Sequence, residues 1–367
     1  MFITKYQLFC LIMLFEIGSS TLFALGISAK QDAWIAIILA LLIAYVLLAI
    51  YIKLQNKFPK KNFIEILILV LGSPIGIALS ILYGAFFIYC SSRNMHDFGL
   101  LMQMTFLNKT PVIVIHGILM VTSLYIIFLG LKVLARTSEI MFPTVIFFIT
   151  LSFILVLASA KVDFKELSPI LSNGIKPILN TVFPDLVNFP FGEVFVFSMY
   201  WCYMNKDINK YKISAIALTF AGMLIMLSTI ITISALGVGY TSIATIPLLD
   251  MIKMINIGNF LTNLDALGVT IIFIGGFYKM LIFFYGAVLS FSTIFKMKNI
   301  KTITIICGAF VVLYSSKFEP SYAYHIWLGH KISLPYLFNT YQVILPPLIL
   351  IIYYLKNKAG KISQSDV

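Results

Sequence analysis

The sequence predicts an all-α, polytopic membrane protein of about ten transmembrane helices, arranged as a 5+5 inverted repeat with discontinuous first and sixth helices. Three observations carry that expectation. Hydrophobic residues fill 60% and charged residues 11% of the 367 positions, and the mean hydropathy is +1.01. A soluble domain carries about 25% charged residues, so the apolar excess here is matched to lipid. Apolar runs of the length that crosses a bilayer, about 20 residues, recur along the whole chain. Two of them, five spans apart, are interrupted by Gly, Ser, Thr or Pro beside a carboxylate.

The first span is expected over 5–29. It places Glu16, Gly18, Ser19, Ser20 and Thr21 near its centre, where a continuous helix should be most apolar. Gly weakens a helix interior, and Ser and Thr bond to backbone groups that a break releases. One basic residue precedes the run and no small-residue cleavage site follows, which reads as a retained span and not a signal peptide. The second span falls at 33–53. Phe63–Leu71 is too short to cross and stops at Gly72-Ser73-Pro74, as an interfacial helix would.

The third span, 76–107, carries Arg93, His96 and Asp97 at i, i+3 and i+4, hence on one face. They are candidates for gate or vestibule lining, with a structural polar cluster as the alternative. The fourth and fifth spans fall at 111–131 and 140–160. The sixth, 187–205, opens with Asn188-Phe189-Pro190-Phe191-Gly192-Glu193. The remaining four are expected at 212–236, 266–294, 302–316 and 336–355. One transmembrane domain therefore occupies 1–355, with repeats at about 5–160 and 187–355, and 356–367 forms a short tail. The two longer connections, 161–186 and 237–265, have the length of lids or partner surfaces, or of segments packed over helix ends; the second contains an amphipathic stretch at 247–255.

Net charge is +12, yet the basic residues form no patch or stripe for nucleic acid. They cluster between apolar runs. With the N-terminus inside, sixteen of the 26 Lys and Arg residues fall on the cytoplasmic side and eight outside, which places both termini in the cytoplasm. Cys10, Cys90, Cys202 and Cys307 each lie within an apolar stretch and show no CxxC spacing, so they read as free buried thiols. His116 reads as a packed histidine, and His325 and His330 as loop residues with a weak metal signal. No metal site or cofactor is expected. Walker, dinucleotide-binding, HExxH and GxSxG motifs are absent from the sequence.

Irregular backbone at membrane depth survives only where it lines a cavity or is buried in protein. In inverted-repeat transporters, paired breaks hold the substrate near the midplane. Half-helix N-termini there suit an anionic group such as an amino-acid carboxylate. The candidate substrate-binding residues are accordingly Gly18, Ser19, Ser20 and Thr21 with Phe189, Pro190, Phe191 and Gly192; the alternative is that they are kinks or packing sites. Lys279 lies about 13 residues into the eighth span, where insertion of a cation costs roughly 2.5–3.5 kcal/mol. It is expected to fill a cation-like position against the first span, with Glu16 and Glu193 as partners, either as a coupling group or as a fixed structural ion pair.

Several stretches together resemble the endospore germination permease family, the B-subunits of nutrient germinant receptors, within the amino acid–polyamine–organocation transporter superfamily. They are Phe15-Glu16-Ile17-Gly18 with 29–34; 130–139 leading to Pro143; 167–177; Phe189-Pro190-Phe191-Gly192-Glu193; and 260–267. The resemblance implies a LeuT/APC-like fold and residence in the spore inner membrane. It also implies assembly with an A-subunit and a lipoprotein C-subunit, and germination triggered by a small nutrient. The chain departs from the family pattern at Asn263, where a basic residue is usual, so any ion pair through Asp265 is in doubt. Competing readings of the same site are a proton- or sodium-coupled amino acid transporter and a ligand-gated ion or water channel; a membrane enzyme fits the residues least.

Overall fold

The computed structural model describes residues 2–21, 23–159, 162–255, 264–297, 299–319 and 321–359. Among them the fold is helical, with no strand. Among the described residues, nine helical segments are long and apolar enough to cross a membrane. The first span is not one of them because its helix, α1 (Lys5–Ile17), stops after 13 residues at Gly18. Counted with it, the spans number ten, in the order the hydropathy pattern predicts.

Helix α1 starts on a capping box: the Thr4 hydroxyl accepts from the Gln7 amide at 3.1 Å, and the Gln7 side chain accepts from the Thr4 amide at 3.0 Å. This satisfies two otherwise orphaned donors. Ten of its residues, Gln7 through Ile17 apart from Phe9, are buried, so the helix runs through the middle of the bundle. A 3₁₀ segment, Ile27–Asp32, then leads into α2 (Ala33–Lys57). Helix α3 (Phe63–Leu71) has the expected extent. It buries Phe63, Ile64, Ile66, Leu67 and Val70, and the Phe63 ring packs edge-on to Tyr83 and Phe195 at 4.9 and 4.8 Å. Gly72, at φ +86°, turns the chain into α4 (Ser73–Thr105), with Pro74 in its first turn. Helices α5 (Val112–Leu129) and α6 (Leu131–Ala158) complete the first half.

The second half departs from the expected boundaries. The sixth span begins at α7 (Lys176–Asn180), eleven residues before the predicted 187, and continues as a wide π-helical turn over Thr181–Leu186. Its prolines give this stretch the look of a loop; Pro177 instead sits in the first turn of a helix, where a missing N–H costs nothing. After Pro190 the chain tightens into a 3₁₀ helix over Phe191–Met199. Both predicted interruptions are therefore real. Helix α8 (Lys210–Ile243) passes the predicted 236 through a kink at Gly237, and 247–255 contains α9 (Pro247–Lys253). Helices α10 (Asp265–Ile294) and α11 (Ile300–Lys317) follow. The tenth span starts at α12 (Tyr322–Leu328), not at 336, and runs through a π-helical stretch, Gly329–Ile344, into α13 (Leu345–Lys358). Its polar first half hides it from a hydropathy reading. Asn263 lies outside the described residues, as does the side chain of Asp265.

Helix α10 is wedged between α1 and α4, and two glycines permit it. A β-carbon on Gly18 would lie 2.6 Å from the Gly275 carbonyl oxygen, and one on Gly276 would lie 1.5 Å from the Phe98 ring. The first span thus breaks where α10 presses directly on its backbone. Lys279, one turn beyond Gly275, faces the same way. Gly18→Ala is expected to lower stability by about 1–3 kcal/mol through overpacking, seen as a lower unfolding midpoint of the purified protein in detergent. An unchanged midpoint would mean that the two helices have room to separate.

Candidate functional site

The breaks in the first and sixth spans meet α10 in the buried core of the bundle. Lys279 pairs with the Glu193 carboxylate, and both side chains are buried, at 0% and 2% exposure. The ammonium also lies 4.4 Å from the centre of the Phe189 ring and 5.2 Å from that of Phe15, within cation–π range. Glu16 is fully buried, and neither carboxyl oxygen has a hydrogen-bond partner among the described residues. The centre therefore places two carboxyl groups around one ammonium. Phe15 packs edge-on to Phe197 at 5.4 Å and against Phe283 at 5.1 Å, holding the first, sixth and eighth spans together beneath the pair.

A cavity of about 700 Å³ rises from this centre. Ser19, Phe189 and Glu193 line its buried end; Cys90, Arg93, Asn94 and Asp97 of α4 form one wall. It ends at exposed Ser242 and Ile243 and along α12. The Ser19 hydroxyl and the Asn94 side-chain oxygen are buried without partners among the described residues, so each is available to a bound molecule.

Of the eight residues that the sequence nominates for substrate, Ser19 and Phe189 line this cavity. The other six lie elsewhere. Gly18 is pressed against Gly275. Ser20 bonds to the Glu16 carbonyl, and Thr21 to the Ile17 carbonyl at 3.0 Å, while Thr21 faces Ile149, Phe153 and Leu224. Pro190 is buried, Phe191 turns toward Gly222 and Leu41, and Gly192 packs under Gln342. The physical reason is shared: a helical turn distributes neighbouring side chains around its axis, so a run of four cannot all face one cavity. The first span also differs from the expectation of half-helix N-termini, because Gly18 leads into turns and the short 27–32 segment and not into a second long half-helix.

Arg93 and Asp97 line the cavity, whereas His96 lies behind it, stacked on the His325 ring at 4.9 Å. Sequence reasoning misses their partners. Arg93 donates to the Glu319 carboxylate at 3.2 Å and to the His325 carbonyl at 3.0 Å. His325 in turn contacts Asp97 at 2.9 Å through Nε2, and Glu319 through Nδ1. His325 is a helical residue of the tenth span and not the loop residue that the sequence suggests. Glu319, more than 200 residues from Arg93, carries no local signal of pairing.

The sequence matches the spore germination protein family over residues 2–323. The chain belongs to the spore germination permease family. Spore germination protein KB of Bacillus subtilis (strain 168) is 32% identical over 360 residues, spanning 98% of this chain and 96% of that one. Spore germination protein YndE of the same organism is 27% identical over 337 residues, 90% of each. Among solved structures, MhsT in complex with L-phenylalanine superposes with a TM-score of 0.66 at 16% identity, covering 100% of this chain and 91% of that one. A nucleobase-cation-symport-1 family transporter in a closed conformation matches at a TM-score of 0.62 and 13% identity, over 98% and 91%. This permease family member thus has the LeuT-like transporter fold and is a multi-pass membrane protein.

The buried pair makes a direct prediction. Lys279→Met leaves the buried Glu193 carboxyl without its counter-ion, which should destabilise the permease by about 3–5 kcal/mol. Adding Glu193→Gln to that variant should recover much of the loss. Additive losses in the double-mutant cycle, measured by thermal unfolding, would show that the two side chains do not act as a pair.

Proposed function

We propose that this chain is the nutrient-sensing membrane subunit of a spore germinant receptor and that it binds an amino acid at the junction of its two broken spans. The carrying observation is the cavity of about 700 Å³ that reaches Ser19, Phe189 and Glu193 from the end of the bundle bearing the long connections. That volume lies within the usual range for small-molecule sites, about 300–1,000 Å³. Its buried end combines an aromatic ring with an unpaired hydroxyl and a carboxylate. Such a set suits a zwitterion with an apolar side chain: the ammonium faces Glu193, and Ser19 and Asn94 offer neutral polar contacts. The phenylalanine-bound neighbour, MhsT, supports the amino acid as the ligand class.

In this reading a single transmembrane domain over 1–355 sits in the spore inner membrane with both termini in the cytoplasm, and the cavity opens outward. An A-subunit and a lipoprotein C-subunit assemble with it, and ligand binding shifts a conformational equilibrium that these partners read. Such a shift requires different affinities for the two states. Arg93 and Asp97, on the cavity wall, are placed to serve as its gate. Proton-coupled transport is the second reading, and Glu16 favours it. A wholly buried carboxyl group without hydrogen-bond partners among the described residues is costly to hold as an anion, and beside the Glu193–Lys279 pair it is positioned to carry a proton.

Ligand at about 100 times its dissociation constant stabilises a protein by roughly 2.7 kcal/mol. A panel of amino acids, sugars and nucleosides should therefore raise the unfolding temperature for one class only. Ser19→Leu, which fills the buried end of the cavity, should abolish that rise. If no compound stabilises either the purified chain or the co-expressed three-subunit complex, the binding proposal fails. Uptake of the labelled ligand into proteoliposomes that hold this chain alone separates the transporter from the sensor.

A further inference from the structure

The polar cluster where α4 meets α12 has more order than an ion pair requires. His96, Glu319 and His325 are all buried, and their ligating atoms lie within 4.8 Å of one another. His96 is 6% exposed and holds the Ser315 carbonyl at 2.8 Å through Nδ1. That bond fixes the proton on Nδ1 and leaves the Nε2 lone pair free. Nε2 is buried and has no partner among the described residues. A buried acceptor of this kind is costly unless something occupies it.

The surrounding bonds match what metal sites use. A ligating histidine donates its other ring N–H to a carbonyl or carboxylate, and a ligating carboxylate is itself held by a hydrogen bond. Here His96 has the Ser315 carbonyl, and His325 Nε2 lies 2.9 Å from the Asp97 carboxylate and 3.0 Å from an Arg93 guanidinium nitrogen; the tautomer that directs its proton to Asp97 leaves Nδ1 for the Glu319 side. Glu319 has Arg93 on Oε1 at 3.2 Å, leaving Oε2. Two carboxylates face one guanidinium, so the cluster favours a further cation when both imidazoles are neutral. His116, whose ring lies 6.5 Å from that of His96, is outside the trio: its Nδ1 engages Ser316 at 2.8 Å, and its Nε2 lies beside Gly99.

We propose that His96 Nε2, His325 Nδ1 and Glu319 Oε2 bind a divalent transition metal ion of the zinc class, with the fourth position open. Zinc bonds to imidazole and carboxylate at about 2.0–2.2 Å, so the ion enters between Glu319 and His325, which now touch. Once bound, it joins α4 to the segment that opens the tenth span, and so fixes the Arg93 wall of the cavity to α12. The site is separate from the Glu193–Lys279 centre and does not depend on which nutrient the cavity takes.

The test uses the full-length chain, purified in detergent and stripped with a chelator. Zinc titrated by calorimetry should bind at one equivalent. Cobalt should give the visible absorption bands of a four-coordinate ion. His96→Asn keeps an N–H for the Ser315 carbonyl and removes Nε2, so it should abolish the cobalt bands while the metal-free protein remains folded by gel filtration. Asp97→Asn should weaken zinc binding by about 10–100-fold, the usual effect of losing such a supporting carboxylate. His116→Asn should change nothing. Absence of stoichiometric binding to the stripped wild-type chain would overturn the proposal. So would cobalt bands that survive His96→Asn, or an equal loss in His116→Asn.

Discussion

An ammonium group with no access to water must find its counter-charge within the bundle, and Lys279 fixes where that happens. Its position on α10 is set by Gly275, which allows the helix backbone to lie against the first span at Gly18. From there the side chain reaches Glu193 only because the sixth span is interrupted at Pro190 and turns its next residues inward as a 3₁₀ helix. A regular helix through either break would displace a partner. The broken backbone and the buried charge are thus one constraint: each is tolerable at membrane depth because of the other.

Helix α10 is joined in turn to α4, which carries the second polar centre together with Glu319 and His325. Ser91 of α4 donates to the Met280 carbonyl of α10 at 3.1 Å, next to Lys279, and Phe98 occupies the space above Gly276. Between those two contacts lie Arg93, Asn94 and Asp97, which face the cavity. Helices α4 and α10 are therefore joined along the cavity wall by backbone-level contacts. The irregular segments, at 18–21, 181–190 and 329–344, belong to the first, sixth and tenth spans. This divides the molecule into a regular wall and three adaptable spans around one cavity. Transitions between discrete packings use such irregular segments, because well-packed helices do not deform continuously.

Much of this is legible in the sequence, for identifiable reasons. Hydropathy locates the spans because lipid imposes length and polarity on each of them separately. The breaks are legible because Gly18 and Pro190 stand beside carboxylates where a continuous helix should be apolar. Lys279 is legible because nothing else explains a lysine at mid-depth. The residues that escape a sequence reading share a different trait: their roles depend on which way a turn faces or on contacts across the chain. Phe191 and Gly192 adjoin Glu193 in sequence and point toward other helices. Asn94, one residue from Arg93, lines the cavity and stays hidden because asparagine in a span carries no charge signal. Glu319 and His325 become partners of Arg93 and Asp97 only through the fold, and the polar start of the tenth span disguises them as loop.

These features bear on how a transporter fold can act as a sensor. A transporter must pass its ligand through the centre, so its binding site and its far exit have to open in turn. Toward the other end of the bundle the centre is closed by Phe63, Tyr83 and Phe195, whose rings pack at 4.8–5.5 Å, with Tyr51 against Phe195 at 5.2 Å. Tyr51 and Tyr83 also donate to the Gln342 and Tyr341 carbonyls of the tenth span at 2.8 and 2.9 Å. Opening that side would cost the ring contacts and both hydrogen bonds together. A sensor needs only the cavity side to move between two packings with different ligand affinity, and the irregular 329–344 segment lines the cavity with its 329–338 part while its Tyr341 and Gln342 hold the aromatic layer. In the proposed sensor, a ligand held at Ser19 and Phe189 would reshape only the 329–338 end of that segment and leave Tyr341 and Gln342, which anchor the barrier, in place; a transporter would have to release them.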